Sequence, residues 1–137
     1  MVLRGGEPGG CLTGFWMHFP ETRHFGDECV RAHVEYYNAT DVDILKVMNE
    51  HPYKIGCAIE KPEDWRYLRP HRAKEYYAGY LEELRKTRRT VGPDVPLLAT
   101  IHGVLVSACH ATDGMGKFTD PDNTVTRHLK EDPAPVA

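Results

Sequence analysis

Thr40-Asp41-Val42-Asp43-Ile44-Leu45-Lys46-Val47-Met48-Asn49 is a short β-rich run bounded by polar residues, and it directly follows Ala32-His33-Val34-Glu35-Tyr36-Tyr37. Val30, Val34 and Tyr37 recur at i, i+4 and i+7, which predicts an amphipathic helix over residues 28–38. Gly26-Asp27 offers its start, with Asp27 as N-cap, and Asn38 and Thr40 its end. The run from Val42 to Met48 then predicts a strand. It carries Asp43 and Lys46, charges that a fully buried strand avoids. Asp41 suits the turn between helix and strand.

Upstream of this pair, Gly14-Phe15-Trp16-Met17-His18-Phe19 is aromatic and strand-like, and Pro20 stops it. Residues 1–13 are glycine-rich and read as a flexible lead-in. Downstream, the segment from Asn49 to Pro70 holds three prolines and reads as a long irregular loop, of a length that is usually functional or disordered. Residues 71–91 give the clearest helix. Ala73, Tyr77, Leu81 and Leu84 share its apolar face with Tyr80 beside them, Glu82–Lys86 forms an i, i+4 pair, and Gly92-Pro93 closes it. Val95–Val106 is the most apolar run and predicts a buried strand with an extended end between Pro96 and Gly103. A second loop is expected over 107–121, and a last short helix from Asp122 to Lys130.

Strands alternating with helices predict an α/β fold with parallel strands, here about three βα units. Three strands make an incomplete sheet, because a parallel sheet is normally covered on both faces. Asp132-Pro133-Ala134-Pro135 would ordinarily launch another helix. The expectation is the front portion of something longer.

Composition narrows the function classes. The chain has 137 residues, with 17 basic and 20 acidic side chains, so no basic surface for nucleic acid is expected. No apolar stretch approaches the length of a membrane span, and the N-terminus lacks the apolar core of a signal peptide, which together point to a cytoplasmic protein. Cys11, Cys29, Cys57 and Cys109 form no CxxC pair and are expected to be reduced and mostly buried. The eight histidines form no HxH or HxxxH pair. Cys109-His110 invites a metal reading, but neighbours on a strand face opposite ways and no further ligands stand out.

In their order and spacing, three segments resemble the N-terminal part of the uroporphyrinogen decarboxylase family: residues 14–20, residues 32–49, and Ala99-Thr100-Ile101-His102-Gly103 with the loop that carries Gly114. That family includes the decarboxylase of haem synthesis and cobalamin-dependent methyl-transfer enzymes. The resemblance implies a partial (β/α)8 TIM barrel over residues 14–137, truncated, with its site on loops at the C-terminal strand ends. It implies stepwise decarboxylation of tetrapyrrole acetate side chains without a cofactor. Corrinoid-to-thiol methyl transfer is the alternative, with zinc ligands outside this chain, and a non-catalytic truncated or split-barrel piece is the third. A tetrapyrrole or corrinoid-type substrate follows, as does self-association or pairing with the missing barrel half.

The resemblance gives Asp43 the catalytic role, offsetting the positive charge of a protonated pyrrole. The alternative is a structural aspartate at the strand entry or paired with Lys46. His18 stands where the family has the first of two arginines that hold substrate carboxylates, and the second has no counterpart. His110 or Ala111 falls nearest the place of the family's tyrosine, which is missing here, and His110 is the candidate substitute contact. Lys46, Asn49 and Tyr53 lie at or beyond the second strand's end, and His102 beside Gly103 faces either the barrel interior or the core. These six are the candidate substrate-binding residues.

Overall fold

The computed structural model describes Gly6 and residues 10–136. Most of the expected lead-in lies outside them. Two parallel strands, β1 (Leu45–Val47) and β2 (Leu97–Ala99), pair with Leu45 opposite Leu97 and Val47 opposite Ala99. The helices are α1 (Gly26–Thr40), α2 (Ala73–Tyr76), α3 (Ala78–Val91), α4 (Val104–Asp113) and α5 (Thr124–Glu131). The chain divides into two compact units. One runs as far as His51 and resumes over Tyr76–Thr100, and the other comprises Pro52–Glu75 and the chain from Ile101.

In the first unit, α1 and α3 lie side by side against one face of the sheet. Leu45 and Val47 are fully buried against Tyr80, with Tyr36, Tyr37, Leu84 and Leu97 around them. Strand alternation sends Lys46 and the exposed Leu98 to the other face. Asp41 ends α1 in the left-handed conformation (φ 52°), so it is the helix-to-strand turn residue. The N-cap differs from expectation. Asp27 lies inside the first turn, and the orphan Gly26 N–H is taken by Glu83 of α3 at 2.8 Å. Lys86 pairs with Asp27 at 2.6 Å, while Glu82 pairs with Arg85.

Residues 14–19 do not form the predicted strand, yet they run beside β1 in the same direction. Thr13 meets Asp43, Gly14 meets Ile44, Trp16 meets Lys46 and His18 meets Glu50. Ile44 N–H donates to Thr13 C=O, whereas Leu45 N–H donates to Pro96 C=O. Asp43 N–H donates to the same Thr13 carbonyl, so segment 13–18 meets the approach to β1 through Thr13, and β2 pairs with β1 itself.

In the second unit, Trp65, Cys109 and Val125 form the core, with Ile59, Leu68 and Leu129 against it. The loop after β1 contains a 3-10 turn over Pro62–Tyr67. The long strand expected over Val95–Val106 is a correction: only Leu97–Ala99 is strand, and α4 begins at Val104. An apolar run without clear period fits either element. Here Val104 and Leu105 lie exposed on the first turn of α4, and the buried positions are Cys109 and His110. The loop expected over 107–121 is accordingly helical as far as Asp113. Asn123 caps α5, accepting Thr126 N–H at 2.8 Å.

Candidate functional site

The C-terminal end of β1 carries Met48-Asn49-Glu50-His51, and three contacts fix it. Met48 N–H donates to Nε2 of His33 at 2.9 Å, so the His33 proton sits on Nδ1, which donates to the Cys29 carbonyl at 2.8 Å. His51 N–H donates to Oδ1 of Asn49. Tyr80 of α3 donates to Val47 C=O at 2.8 Å and accepts Thr100 N–H at 2.7 Å, so its hydroxyl closes the sheet at the ends of both strands. Burial lowers the basicity of His33 and pushes the Tyr80 phenol and the Cys29 thiol up to about 12. All three are neutral near pH 7 and fulfil structural tasks.

Two buried carboxylates face imidazoles at this end. Glu50, with a side chain only 3% exposed, sits 2.7 Å from Nδ1 of the half-exposed His18. Glu83, 5% exposed, meets Nε2 of His51 at 3.0 and 3.1 Å with its two oxygens. Carboxylates are almost never so buried unless paired. Gly79, one turn before Glu83 on α3, makes room for the His51 ring: a Cβ there would lie 2.7 Å from Cε1. Phe25 packs edge-on against the same ring. In each pair a buried carboxylate holds one ring nitrogen and thereby orients the other, the arrangement that tunes an imidazole for proton transfer.

Of the residues expected in the site, the structure gathers three at this strand end. His18 pairs with Glu50, Lys46 holds its ammonium 4.2 Å from the centre of the Trp16 ring, and Asn49 is buried. Asp43 does not join them. It is exposed on the approach to β1, at the end opposite Glu50, and its carboxylate accepts Thr13 N–H and Oγ1–H at 2.7 and 2.9 Å. Those bonds hold its carboxyl below the usual range. Tyr53, His102 and His110 belong to the second unit, where His102 and His110 meet edge to face with ring centres 4.8 Å apart and Tyr53 lies against His71.

Glu50, His51 and Glu83 were not among the expected site residues. Glu83 had a readable signal, since the buried stripe of α3 is Tyr80, Glu83 and Thr87, and an acid on that stripe needs a partner. Among the described residues no cluster of three or more histidine, cysteine or acidic side chains suits a metal ion, and no helix is long and apolar enough to cross a membrane. Comparison with protein-family models, with curated proteins and with solved structures finds no match for this chain. The functional reading therefore rests on the residues and their geometry.

Proposed function

We propose that this chain is part of a (β/α)8-type enzyme of the uroporphyrinogen decarboxylase family, with the C-terminal end of β1 as its reacting end and His18–Glu50 as its proton-transfer pair. The observation that carries this reading is a buried carboxylate holding an imidazole at the strand end where parallel α/β folds place their chemistry. The parallel course of segment 13–18 beside β1, and the parallel pairing of β1 with β2, support it, because consecutive barrel strands run parallel.

Decarboxylation of an acetate side chain breaks the bond to the carboxyl carbon, releases CO2 and needs a proton delivered to the carbon left behind. A protonated His18, oriented through Nδ1 by Glu50, is placed to supply that proton from Nε2. Asp43 at the other end of β1 does not serve this reading, and Glu50 takes its place as the charge nearest the reaction. The second reading is methyl transfer from a corrinoid to a thiol. One observation favours it: His18 commits Nδ1 to Glu50 where the decarboxylase has an arginine for substrate carboxylates. An imidazole backed by a carboxylate accepts a thiol proton better than it clamps a carboxylate.

The test follows histidine ring signals by NMR while the full chain is titrated with uroporphyrin III or with methylcobalamin, His18→Gln assigning the signal. Movement of His18 signals with uroporphyrin, unaffected by Asp43→Asn, supports decarboxylation. Movement with methylcobalamin alone selects methyl transfer. If neither ligand moves them, the enzyme reading fails and the non-catalytic piece replaces it.

A further inference from the structure

The second unit contains a cavity of about 260 Å3 built wholly from the loop after β1. Tyr53, Ile55, Cys57, Tyr67, Arg69 and His71 line it, and no acidic side chain does. The loop is tied shut around it: His71 Nε2–H donates to the Lys54 carbonyl at 2.6 Å, and the His71 ring stands edge-on to Tyr53. Arg69 is preset at the wall, its Nη1 donating to the carbonyls of Arg66 and Leu68 at 3.2 and 3.0 Å. Among the described residues Arg69 has no carboxylate partner, and its hydrogen bonds go to backbone carbonyls alone. A guanidinium oriented by backbone and left without a counter-ion, in a cavity that two tyrosines also line, matches an anion attached to a flat apolar body.

We propose that this cavity is a binding site for a small aromatic anion, a phosphate or carboxylate on a single ring, with Arg69 holding the acid group and Tyr53 and Tyr67 flanking the ring. The volume agrees: at about 30 Å3 per water it holds roughly nine waters, which suits one ring and its acid group and excludes a tetrapyrrole. The site is independent of the strand-end chemistry, so either can fail without the other.

Cys57 provides the readout, because its thiol lines the cavity and is partly exposed, while the exposed Cys11 lies outside it. The full chain is alkylated with iodoacetamide with and without millimolar phenyl phosphate, and the modification of each cysteine is followed by mass spectrometry. Phenyl phosphate is expected to slow Cys57 several-fold and leave Cys11 unchanged. Inorganic phosphate is expected to protect far less, since it lacks the ring. Arg69→Gln should weaken protection about tenfold or more, the loss expected for a hydrogen bond to a charged group. Tyr67→Ala should weaken it with Arg69 intact. Arg69 and Tyr67 are exposed, so both variants are expected to fold, with circular dichroism as the check. Protection that is absent, or that survives Arg69→Gln undiminished, overturns the proposal.

Discussion

Replacing Gly79 by alanine is expected to destabilise the protein while His51 is present and to stabilise it once His51 is gone. A Cβ at position 79 would stand 2.7 Å from Cε1 of His51, about 0.7 Å short of the 3.4 Å where ordinary contact begins. The ring has little freedom to retreat. Its Nε2 already lies 3.0 and 3.1 Å from the Glu83 oxygens, and a further shift of that size ends the hydrogen bond. A bond to a charged group contributes about 1.5–3 kcal/mol. Alanine is favoured over glycine inside a helix by about 1 kcal/mol. The balance is a loss of about 0.5–2 kcal/mol in the native sequence. In a His51→Ala background the obstacle and the bond are both absent, and only the helix preference remains, a gain of about 1 kcal/mol. Urea unfolding of the four proteins of this double-mutant cycle, followed by circular dichroism, measures the reversal. An effect of equal sign and size in both backgrounds would show that Gly79 is not the seat of the His51 ring.

Thr87 is fully buried and its hydroxyl has no hydrogen-bond partner among the described residues, so Thr87→Val should stabilise by about 1 kcal/mol; a lower urea midpoint would contradict this. His33 is held neutral by burial, with its folded pKa below the ordinary 6.5. Near and below pH 6.5 the unfolded chain then binds more protons than the folded one, so stability is complete above that pH and falls as pH drops towards the folded value. Urea midpoints between pH 8 and 5 should show this fall, and its persistence in a His33→Gln variant would assign it elsewhere. Tyr80→Phe should cost about 1–2 kcal/mol and speed hydrogen exchange at the Thr100 amide, and unchanged exchange there would remove the phenol from the sheet's closure. The outer edge of β2 is unpaired among the described residues and Leu98 is exposed beside it, so the chain is expected to self-associate and Leu98→Lys to reduce this. Light scattering from a strict monomer at high concentration would refute it.

The helix–turn–strand at residues 26–47 was legible because each signal there is local: the period of Val30, Val34 and Tyr37, the tolerance of Asp41 for a left-handed turn, and the β-rich run after it. Parallel pairing with Leu97–Ala99 followed from the alternation of elements. Val95–Val106 was misread because an unbroken apolar run looks alike as strand or helix, and only tertiary placement separates them. For the site, Asn49 was legible from its position beyond the second strand, and His18 only through the family resemblance. Glu50 was not, and Glu83 signalled only that it needs a partner, since His18 and His51 lie 32 residues from them in the chain and no local pattern reports which residues pair. Asp43 illustrates the converse: its type and its place in a motif suggested chemistry, while its carboxylate is occupied by Thr13.

The His51–Gly79 contact also bears on how the chain can be cut. The first unit gives up the chain at His51 and recovers it at Tyr76, three residues before the glycine on which the His51 ring rests. The excursion from Pro52 to Glu75 thus departs and returns through neighbouring points, as an inserted segment does. A short glycine-rich splice from residue 51 to residue 76 would bridge the gap without stretching either end. The second unit's other half leaves after Thr100, where α1, β1, α3 and β2 are already in place. Residues 10–51 spliced to 76–100 therefore constitute a minimal scaffold bearing both imidazole–carboxylate pairs, on which the strand-end chemistry can be engineered apart from the loop cavity.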